Sequence, residues 1–351
     1  MIGKIEKDRV VAGKSAIEEL YKKGFHGRPK DNKLELTLIE AAYLLYREKL
    51  EIGESGKKLA FRDFFKKAAT IEPAFELKYI VYKDLKERGY YVQPSAVDFR
   101  VYPRGSNPGS GPAKILVYVQ SERVPLKIKE LLQSLKTAEN MRKQLVLAVV
   151  DEESDITYYE VKSSKLHGGM EEPHPSLTTD ATFLEDRVII WKKSASEILL
   201  NNGFYGKPLD QERLQLSLVE GGYLLSEEVL KIHSMESDEI LGIDAFVEKA
   251  SSIEKDFSLK FAAYSDLRNL GFVPKTGFKF GTHFRVYKEV KSLEKLPHSE
   301  FLIHAIPNNY EFSLPVMSRA IRLSNSVRKR MIFAVEKGEQ INYIDIGRKK
   351  M

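Results

Sequence analysis

The chain contains no cysteine, which excludes disulfide bridges, cysteine nucleophiles and thiolate metal sites together. Its 7 histidines are scattered, so a metal site built from several histidines is not expected. No apolar run approaches the roughly 18–20 residues that a membrane-spanning helix needs. The first residues also lack the apolar segment of a secretory signal peptide. We therefore expect a cytoplasmic protein that uses neither a metal nor another cofactor.

A large excess of charge of one sign is also missing. The chain has 56 Lys and Arg against 50 Asp and Glu, a net charge of +6 over 351 residues. This balance permits a nucleic-acid partner without requiring one. Hydrophobic residues make up 42% of the sequence and charged residues 30%, as in an ordinary globular protein.

What the sequence does have is an internal repeat. The matching segments are residues 15–29 and 194–208, 34–45 and 214–225, 82–92 and 264–274, and 98–102 and 283–287. The offset grows from 179 (residue 194 against 15) to 186 (residue 329 against 143), so small loop insertions separate the copies. Two homologous repeats in one chain predict a pair of similar domains. Differences between the copies then separate function from scaffold.

Each repeat shows helical patterns first and strand patterns afterwards. Thr37 and Glu40 have the spacing of a capping box, and Gly89 and Gly271 are placed to end a helix in each copy. We predict an α+β fold of two tandem repeats, each with a small helical N-terminal subdomain followed by a mixed β-sheet and helix subdomain. The predicted segments are residues 1–80 and 81–164, a Gly-, Pro- and Ser-rich linker at 165–184, and residues 185–262 and 263–351.

Residues that could do chemistry are concentrated in the second repeat. The sequence holds no GxxxxGK[ST] phosphate loop, no dinucleotide-binding glycine run and no HExxH zinc motif. The second repeat does place Tyr287 at the end of a predicted strand, His298 at the start of the next and Lys329 at the end of a long helix. The first repeat keeps Tyr102 and Lys143 at the matching places.

The imidazole distinguishes the two copies. Where the second repeat reads Pro297-His298, the first reads Pro112-Ala113, so Ala113 is interpreted as replacing the histidine. Each residue also has an ordinary interpretation, because strand tyrosines usually serve packing and basic residues at a helix end commonly interact with the helix dipole. A lysine in both copies favours a structural role for it, since an inactive copy would have no catalytic use for that lysine.

Three strings in the second repeat resemble one known family. The strings YSDLRNLGFVPKTGFKFGTHFRVY, PHSEFLIHA and RLSNSVRKRMIFAV, in this order, resemble the archaeal tRNA-splicing endonuclease family. The first part of each repeat looks like the family's N-terminal subdomain, so the resemblance covers the whole chain. The duplication is similar to the homodimeric subtype, in which each chain fuses a structural repeat with a catalytic, nuclease-like repeat.

The resemblance implies a reaction and its residues. Introns would be cut from precursor tRNA at bulge-helix-bulge motifs without a metal, by attack of the RNA's own 2′-hydroxyl, giving 2′,3′-cyclic phosphate and 5′-hydroxyl ends. Tyr287 would be the base, His298 the acid and Lys329 the electrostatic stabiliser. A free tyrosine has a pKa near 10, so Tyr287 either needs help as a base or orients the nucleophile instead.

The resemblance also implies RNA-binding residues and a homodimer. Family members hold a flipped-out bulge base between two arginines, which fall on Arg322 and Arg348 here, although Arg348 is equally an ordinary residue of a solvated tail. An acidic loop of the structural unit docks into a basic cleft across the assembly, although acidic turns are common on any surface. The candidate loop residues are Asp151, Glu152, Glu153 and Asp155.

Two other functions compete with this interpretation. A non-catalytic RNA-binding or assembly subunit of the same fold is possible because the first repeat lacks the histidine, and the complete trio of the second repeat argues against it. A metal-dependent DNA nuclease would need carboxylates clustered on adjacent strands with a lysine. The sequence has no PD…(D/E)xK string of that kind.

Overall fold

The computed structural model of the chain describes residues 1–54, 56–171, 174–292, 297–338 and 340–351. The chain divides into two compact units. Unit 1 consists of Met1–Lys162, Glu311–Ser318 and Gly347–Met351, and unit 2 of Ser163–Tyr310 and Arg319–Ile346. Each unit is therefore built mainly from one of the two repeats, as the internal duplication predicts.

The first repeat contains two sheets and several helices. Its helices are α1 Lys14–Ala16, which continues as a π-helix at Ile17–Lys22, α2 Leu38–Tyr46, α3 Phe61–Ile71, α4 Phe75–Glu87 and α5 Ile128–Asn140. Its strands are β1 Ile2–Glu6, β2 Arg9–Ala12, β3 Arg28–Lys30, β4 Lys33–Thr37, β5 Glu51–Glu54, β6 Lys57–Lys58, β7 Val92–Pro94, β8 Phe99–Val101, β9 Ile115–Ser121, β10 Leu126–Lys127, β11 Gln144–Val150 and β12 Ile156–Ser163. The first sheet has the order β3-β4-β2-β1-β5-β6, and the later strands follow the order β12-β11-β9-β8-β7.

The second repeat follows the same plan. Its helices are α6 Lys193–Asn202, α7 Leu218–Ser226, α8 Ile243–Ile253, α9 Phe257–Asn269 and α10 Leu314–Ser326, with a 3₁₀ turn at Phe278–Phe280. Its strands are β13 Thr179–Leu184, β14 Arg187–Ile190, β15 Lys207–Pro208, β16 Leu214–Ser217, β17 Leu230–Ser234, β18 Val273–Thr276, β19 Phe284–Tyr287, β20 Phe301–Ile306, β21 Glu311–Phe312, β22 Arg330–Lys337 and β23 Gln340–Arg348. The first sheet has the order β15-β16-β14-β13-β17, and the later strands follow the order β18-β19-β20-β22-β23.

The α+β fold in two tandem repeats is confirmed, but the N-terminal subdomains contain more than helices. Each carries its own mixed sheet. The predicted linker at 165–184 also differs from the structure, because Thr179–Leu184 forms β13 in the sheet of the second repeat. In that strand Thr179, Ala181 and Phe183 are buried in alternation, a pattern hidden in the sequence by the small and polar residues around it.

A buried glutamate organises the start of α2 in the first repeat and of α7 in the second. Thr37 Oγ1 accepts from the Glu40 N–H at 3.3 Å, and Glu40 Oε2 accepts from the Thr37 N–H at 3.0 Å, which confirms the predicted capping box. The other oxygen, Oε1, accepts from the Gly27 N–H at 2.8 Å. Ser217, Glu220 and Gly206 make the same bonds in the second repeat. These buried carboxylates therefore tie a loop to a helix start in both copies.

The predicted helix ends are also confirmed. Gly89 and Gly271 follow α4 and α9 with φ values of 87° and 80°, a conformation that favours glycine. Each unit has its own hydrophobic core, in which Tyr82 of unit 1 and Tyr264 of unit 2 are fully buried at matching places. Among the helices in the described parts of the chain, none is long and apolar enough to span a membrane.

One polar position differs between the two cores. In unit 1, Asp98 Oδ2 accepts from the Val119 N–H at 2.8 Å, and its other oxygen lies 3.5 Å from Lys78 Nζ. In unit 2, His283 takes this position and its Nδ1 accepts from the Ala305 N–H at 3.1 Å. The same backbone donor is therefore satisfied by a carboxylate in one repeat and by a neutral imidazole in the other.

His283 is also stacked against a second histidine. The rings of His283 and His304 lie 4.0 Å apart between their centroids. Burial, together with the neighbouring His304 and the charge of Lys260, lowers the pKa of His283 to about 3. Burial and Lys260 likewise lower the pKa of His304. Both rings are therefore neutral in the folded protein at neutral pH.

We predict that acid destabilises unit 2 through these histidines. Since their pKa values in the folded protein lie below the unfolded value near 6.5, the unfolded chain binds more protons, and stability falls as the pH drops from about 6.5 towards about 3. One such histidine costs about 2 kcal/mol between pH 7 and pH 5. The variant His283→Asp, which copies Asp98, should lose less stability over this interval in urea-unfolding measurements.

The exposed His167 supplies the control for this measurement. His167→Ala should keep the pH dependence of the unmodified chain, because its ring is exposed. Burial lowers the pKa of His26 in unit 1 to about 3 as well, but that contribution is common to all the proteins compared. An equal acid-induced loss in His283→Asp and in the unmodified chain would contradict the prediction.

Candidate active site

The sheet of unit 2 brings the three predicted residues to one edge. Strands β19 and β20 are antiparallel with Val286 opposite Phe301, and β20 and β22 are parallel with Phe301 opposite Arg330. The end of β19 and the starts of β20 and β22 therefore lie at the same edge. Tyr287 is the last residue of β19, His298 shortly precedes β20, and Lys329 directly precedes β22.

Lys329 is held at this edge by the chain that leads into β20. Its Nζ donates to the Ser299 backbone oxygen at 2.6 Å, and the same Nζ lies 6.0 Å from the centre of the Phe280 ring. Burial lowers the pKa of Lys329, and the nearby positive charges of Lys279 and Arg285 lower it further. The site is therefore a small cluster of positive charge.

Tyr287 has a buried ring and an unengaged hydroxyl. The ring packs with Phe204, Val273 and Val290. Among the described residues, no hydrogen-bond partner is found for its hydroxyl. The Arg285 guanidinium carbon lies 5.8 Å from the Tyr287 ring centre. Arg285 Nε is buried and has no hydrogen-bond acceptor among the described residues. A polar atom of a bound molecule could therefore engage the Tyr287 hydroxyl.

His298 is exposed, and the register corrects which residue replaces it in unit 1. Phe301 lies opposite Arg330, and Ile115 lies opposite Gln144 in the same way. Lys143 Nζ donates to the Ala113 oxygen at 2.6 Å, just as Lys329 donates to Ser299. Ala113 thus corresponds to Ser299, and Pro112 stands where unit 2 has His298. The prediction that Ala113 replaces the histidine was wrong because it matched one proline to another.

The tyrosine of unit 1 is engaged where Tyr287 is not. Tyr102 donates from its hydroxyl to Gln93 Oε1 at 3.0 Å, and Arg100 Nε donates to the same oxygen at 3.0 Å. We call these three residues the glutamine clamp. It fixes the tyrosine hydroxyl within unit 1.

The corresponding residue in unit 2 cannot form this clamp. Lys275 lies opposite Arg285 in the register, as Gln93 lies opposite Arg100. A lysine ammonium has donors and no acceptor. Lys275 Nζ instead donates to Glu220 Oε1 at 2.9 Å. The Gln-to-Lys difference accounts for the unengaged Tyr287 hydroxyl.

Lys275 also changes the state of the buried glutamate. Burial alone would raise the pKa of Glu220, but the Lys275 charge and the backbone donors together lower it. Burial raises the pKa of Glu40, because the backbone donors and the charge of Lys86 offset only part of its effect. A cavity next to this carboxylate has a volume of about 530 Å³ in unit 1 and about 540 Å³ in unit 2. The cavity is therefore a feature of the fold and does not distinguish the copies.

Comparison with known proteins places the chain in a family. The model of the tRNA intron endonuclease catalytic C-terminal domain matches residues 75–158 and 257–343. The model of the tRNA intron endonuclease N-terminal domain matches residues 1–65 and 179–247. The chain belongs to the tRNA intron endonuclease family. The alternation of the two domains confirms the duplication, and the second N-terminal match begins at the first residue of β13.

Full-length relatives support the same assignment. A tRNA-splicing endonuclease of Methanococcoides burtonii is 60% identical over 100% of both chains. Another of Methanosarcina mazei is 62% identical over 99% of this chain and 98% of its own. A tRNA-splicing endonuclease of Haloarcula marismortui is 35% identical over 98% of both. The similarity thus extends through both repeats to archaeal proteins, as the sequence resemblance predicts.

The two predicted RNA-binding arginines lie in different units. Arg322 is exposed on α10 in unit 2, and unit 1 has Lys136 at the matching place on α5. Arg348 is exposed at the end of β23 and belongs to unit 1. Both side chains are open to solvent, and their role in RNA binding stays a prediction.

The acidic loop forms an ordered turn between β11 and β12. Asp151 Oδ1 accepts from the N–H groups of Glu153 and Asp155 at 3.0 and 2.8 Å, so this carboxylate holds the turn together. Glu152 pairs with Arg123. Glu153 and Asp155 are exposed, and no ion pair of theirs is found among the described residues. These two carboxylates are the ones free to meet a partner.

Sequence reasoning missed the residues that tune the site. Arg285 occurs in the string FRVY of both repeats, so the sequence does not single it out. Lys279 lies in the string YSDLRNLGFVPKTGFKFGTHFRVY, which carries the family resemblance but does not single out this lysine. The change from Gln93 to Lys275 was visible in the aligned repeats, but its meaning required the cross-strand register.

Proposed function

We propose that the chain is a tRNA-splicing endonuclease that excises introns from precursor tRNA at bulge-helix-bulge motifs in the cytoplasm. The observation that carries this proposal is the position of Tyr287, His298 and Lys329 at one edge of the unit 2 sheet. The absence of the histidine from the matching edge of unit 1 supports it. The relatives named above are described as tRNA-splicing endonucleases, which supports the same activity here.

The proposed reaction requires acid–base groups and no metal. The 2′-hydroxyl of the RNA attacks the adjacent phosphorus and loses its proton, while the 5′-oxygen leaves and gains one. The products end in a 2′,3′-cyclic phosphate and a 5′-hydroxyl, as in a tRNA-intron lyase. The unengaged hydroxyl of Tyr287 suits a base or an orienting group. The exposed ring of His298 suits an acid that meets the substrate directly.

The positive cluster supplies the electrostatic part of the reaction. Lys279 and Arg285 already act on the charge of Lys329, since both lower its pKa. A phosphate close to the three cations would relieve their repulsion, and the gain grows as negative charge develops on the phosphorane. Within the cluster, we assign to Lys329 the role of stabilising the negative charge of the transition state.

Substrate binding and assembly complete the proposal. We assign Arg322 and Arg348 to the bulge base, because a planar guanidinium stacks well on an unpaired base. We assign the acidic loop to docking within a homodimer. The alternative function, a non-catalytic RNA-binding subunit, fits unit 1 alone. There Pro112 replaces the histidine and the glutamine clamp holds Tyr102.

We predict that His298→Ala binds a bulge-helix-bulge RNA normally but cleaves it about 10²–10⁴-fold more slowly, the usual contribution of an acid–base group. The exposed side chain of His298 makes a folding defect unexpected. Single-turnover rates, with analysis of the product ends, measure the effect. The exposed His167→Ala serves as the matched control.

The same assay tests the chemistry. Cleavage by the unmodified chain should persist in excess EDTA and leave cyclic phosphate ends. Loss of cleavage in EDTA would favour a metal-dependent nuclease. An unimpaired rate for His298→Ala would remove His298 from the reaction.

We predict that Lys275→Gln slows cleavage by about 10-fold or more, because glutamine offers the acceptor that holds Tyr102 in unit 1. Lys275→Met removes the same ion pair with Glu220 without supplying an acceptor, so it should retain more activity. The reciprocal Gln93→Lys in unit 1 should leave the rate unchanged. Single-turnover rates of the three variants compare them directly.

The methionine variant makes this comparison decisive. Equal losses in Lys275→Gln and Lys275→Met would assign the effect to the lost ion pair with Glu220. A slower rate in Gln93→Lys would show that unit 1 contributes to the chemical step. Either outcome contradicts the glutamine clamp as the difference between the repeats.

We predict a homodimer with about twice the 40.1 kDa mass of the chain. The double variant Glu153→Lys and Asp155→Lys reverses the two exposed loop charges and spares Asp151, which holds the turn. It should reduce both the mass measured by light scattering and the cleavage rate. Glu6→Lys with Glu139→Lys, two exposed acidic residues of the same repeat, is the control. A fully active dimer of the loop variant would disprove docking by this loop.

A further inference from the structure

The connection between β18 and β19 is longer than its counterpart in unit 1. Thr276 lies opposite Phe284 in unit 2, and Pro94 lies opposite Phe99 in unit 1. Residues 277–283 therefore stand where unit 1 has only residues 95–98. The insertion contains the 3₁₀ turn Phe278–Phe280, and we call residues 277–282 the GFKFGT turn.

The GFKFGT turn has a well-defined backbone. The Phe280 N–H donates to the Gly277 oxygen at 2.8 Å, and the Gly281 N–H donates to the Phe278 oxygen at 3.0 Å. A side chain at Gly277 would lie 2.4 Å from Thr282 Oγ1, and Gly281 has a φ of 65°. Gly277 therefore has no room for a side chain, and Gly281 adopts a conformation that favours glycine.

The two aromatic rings of the turn face different surroundings. Phe280 is partly buried, and the ammonium groups of Lys279 and Lys329 lie 5.0 and 6.0 Å from its ring centre. Phe278 is 89% exposed, the highest value among the large hydrophobic side chains in the described residues. The fold gains nothing from this ring, because water surrounds almost all of it.

We propose that the GFKFGT turn binds RNA, with the Phe278 ring stacking on an unpaired base beside the cleaved phosphodiester and Lys279 contacting a backbone phosphate. The proposal rests on the function proposed above and deepens it. An exposed aromatic ring next to lysines is the arrangement by which proteins hold unpaired nucleotides. The turn adjoins Lys329, which places the stacked base close to the reacting phosphate. Unit 1, which lacks the insertion, has Ser95, Ala96 and Val97 there instead.

The charge around the turn favours RNA over a protein partner. Lys279 and Lys329 both lie near the Phe280 ring, and Arg285 adds a third positive charge. The like charges of these three residues repel one another in the free protein, and a bound polyanion would reduce that repulsion. A hydrophobic protein contact would gain from Phe278 but not from these cations.

Binding should be measured with a bulge-helix-bulge RNA that carries a 2′-deoxynucleotide at the cleavage position, so that it cannot react. A 2-aminopurine next to that position reports stacking through its fluorescence. Phe278→Ala should weaken binding by about 5- to 150-fold and reverse the quenching, the range expected for loss of one stacked base. Phe278→Leu should behave like the alanine variant, and Phe278→Trp should restore binding.

Met235→Ala is the matched control, because Met235 is another exposed large side chain of unit 2, at 61%. It should bind like the unmodified chain. Lys279→Gln should reduce the dependence of log affinity on log salt by about one unit, as loss of one phosphate contact does. Full binding by both Phe278→Ala and Lys279→Gln would overturn the proposal.

Two further outcomes separate this inference from the proposed function. If the unmodified chain cleaves the reactive RNA and Phe278→Ala binds like Met235→Ala, the inference fails while the endonuclease function stands. If the unmodified chain neither binds nor cleaves the RNA, the proposed function fails and the inference fails with it. A change in oligomeric mass in Phe278→Ala, with RNA affinity unchanged, would assign the ring to a protein contact and overturn the proposal.

Discussion

The organisation of each repeat depends on a lysine that ties the start of one parallel strand to the start of the next. Lys143 donates to the Ala113 oxygen and Lys329 to the Ser299 oxygen, both at 2.6 Å. Parallel strands enter the sheet from the same edge, so this bond fixes their register before the ladder begins. An ammonium has three donors, and the backbone oxygen takes one of them. The same lysine can therefore hold the two strands together and still offer its positive charge to a ligand at the sheet edge.

This bond gives Lys143 a structural role in unit 1, so residues other than the lysine are the better guide to function. The copies share backbone and core, but they differ in what surrounds the tyrosine. Gln93 accepts from Tyr102 and Arg100, whereas Lys275 is drawn to Glu220. The lysine alone does not distinguish the two copies. The histidine, the released tyrosine hydroxyl and the inserted GFKFGT turn all fall in unit 2.

Much of this arrangement was predictable from sequence, and the rest was not for identifiable reasons. The capping box of Thr37 and the helix ends at Gly89 and Gly271 follow from local rules. Strands such as β15, Lys207–Pro208, are too short to show an alternating pattern, so the N-terminal sheets were missed. The match of Ala113 to His298 failed because sequence alone does not fix a register between strands. The glutamine clamp joins neighbouring strands and was invisible for the same reason.

Unit 2 also carries features that cost stability. Arg285 Nε is buried without an acceptor among the described residues, while its counterpart Arg100 Nε is satisfied by Gln93. An unsatisfied buried donor costs about 1–3 kcal/mol. Lys329 loses favourable solvation and faces like charges, and Phe278 exposes an aromatic ring to water. These features lie in and around β19 of unit 2, where an anionic substrate with unpaired bases would reduce the repulsion at Lys329 and cover the Phe278 ring. The same fold in unit 1 shows that the repeat does not require them, so their retention in unit 2 is best explained by substrate binding.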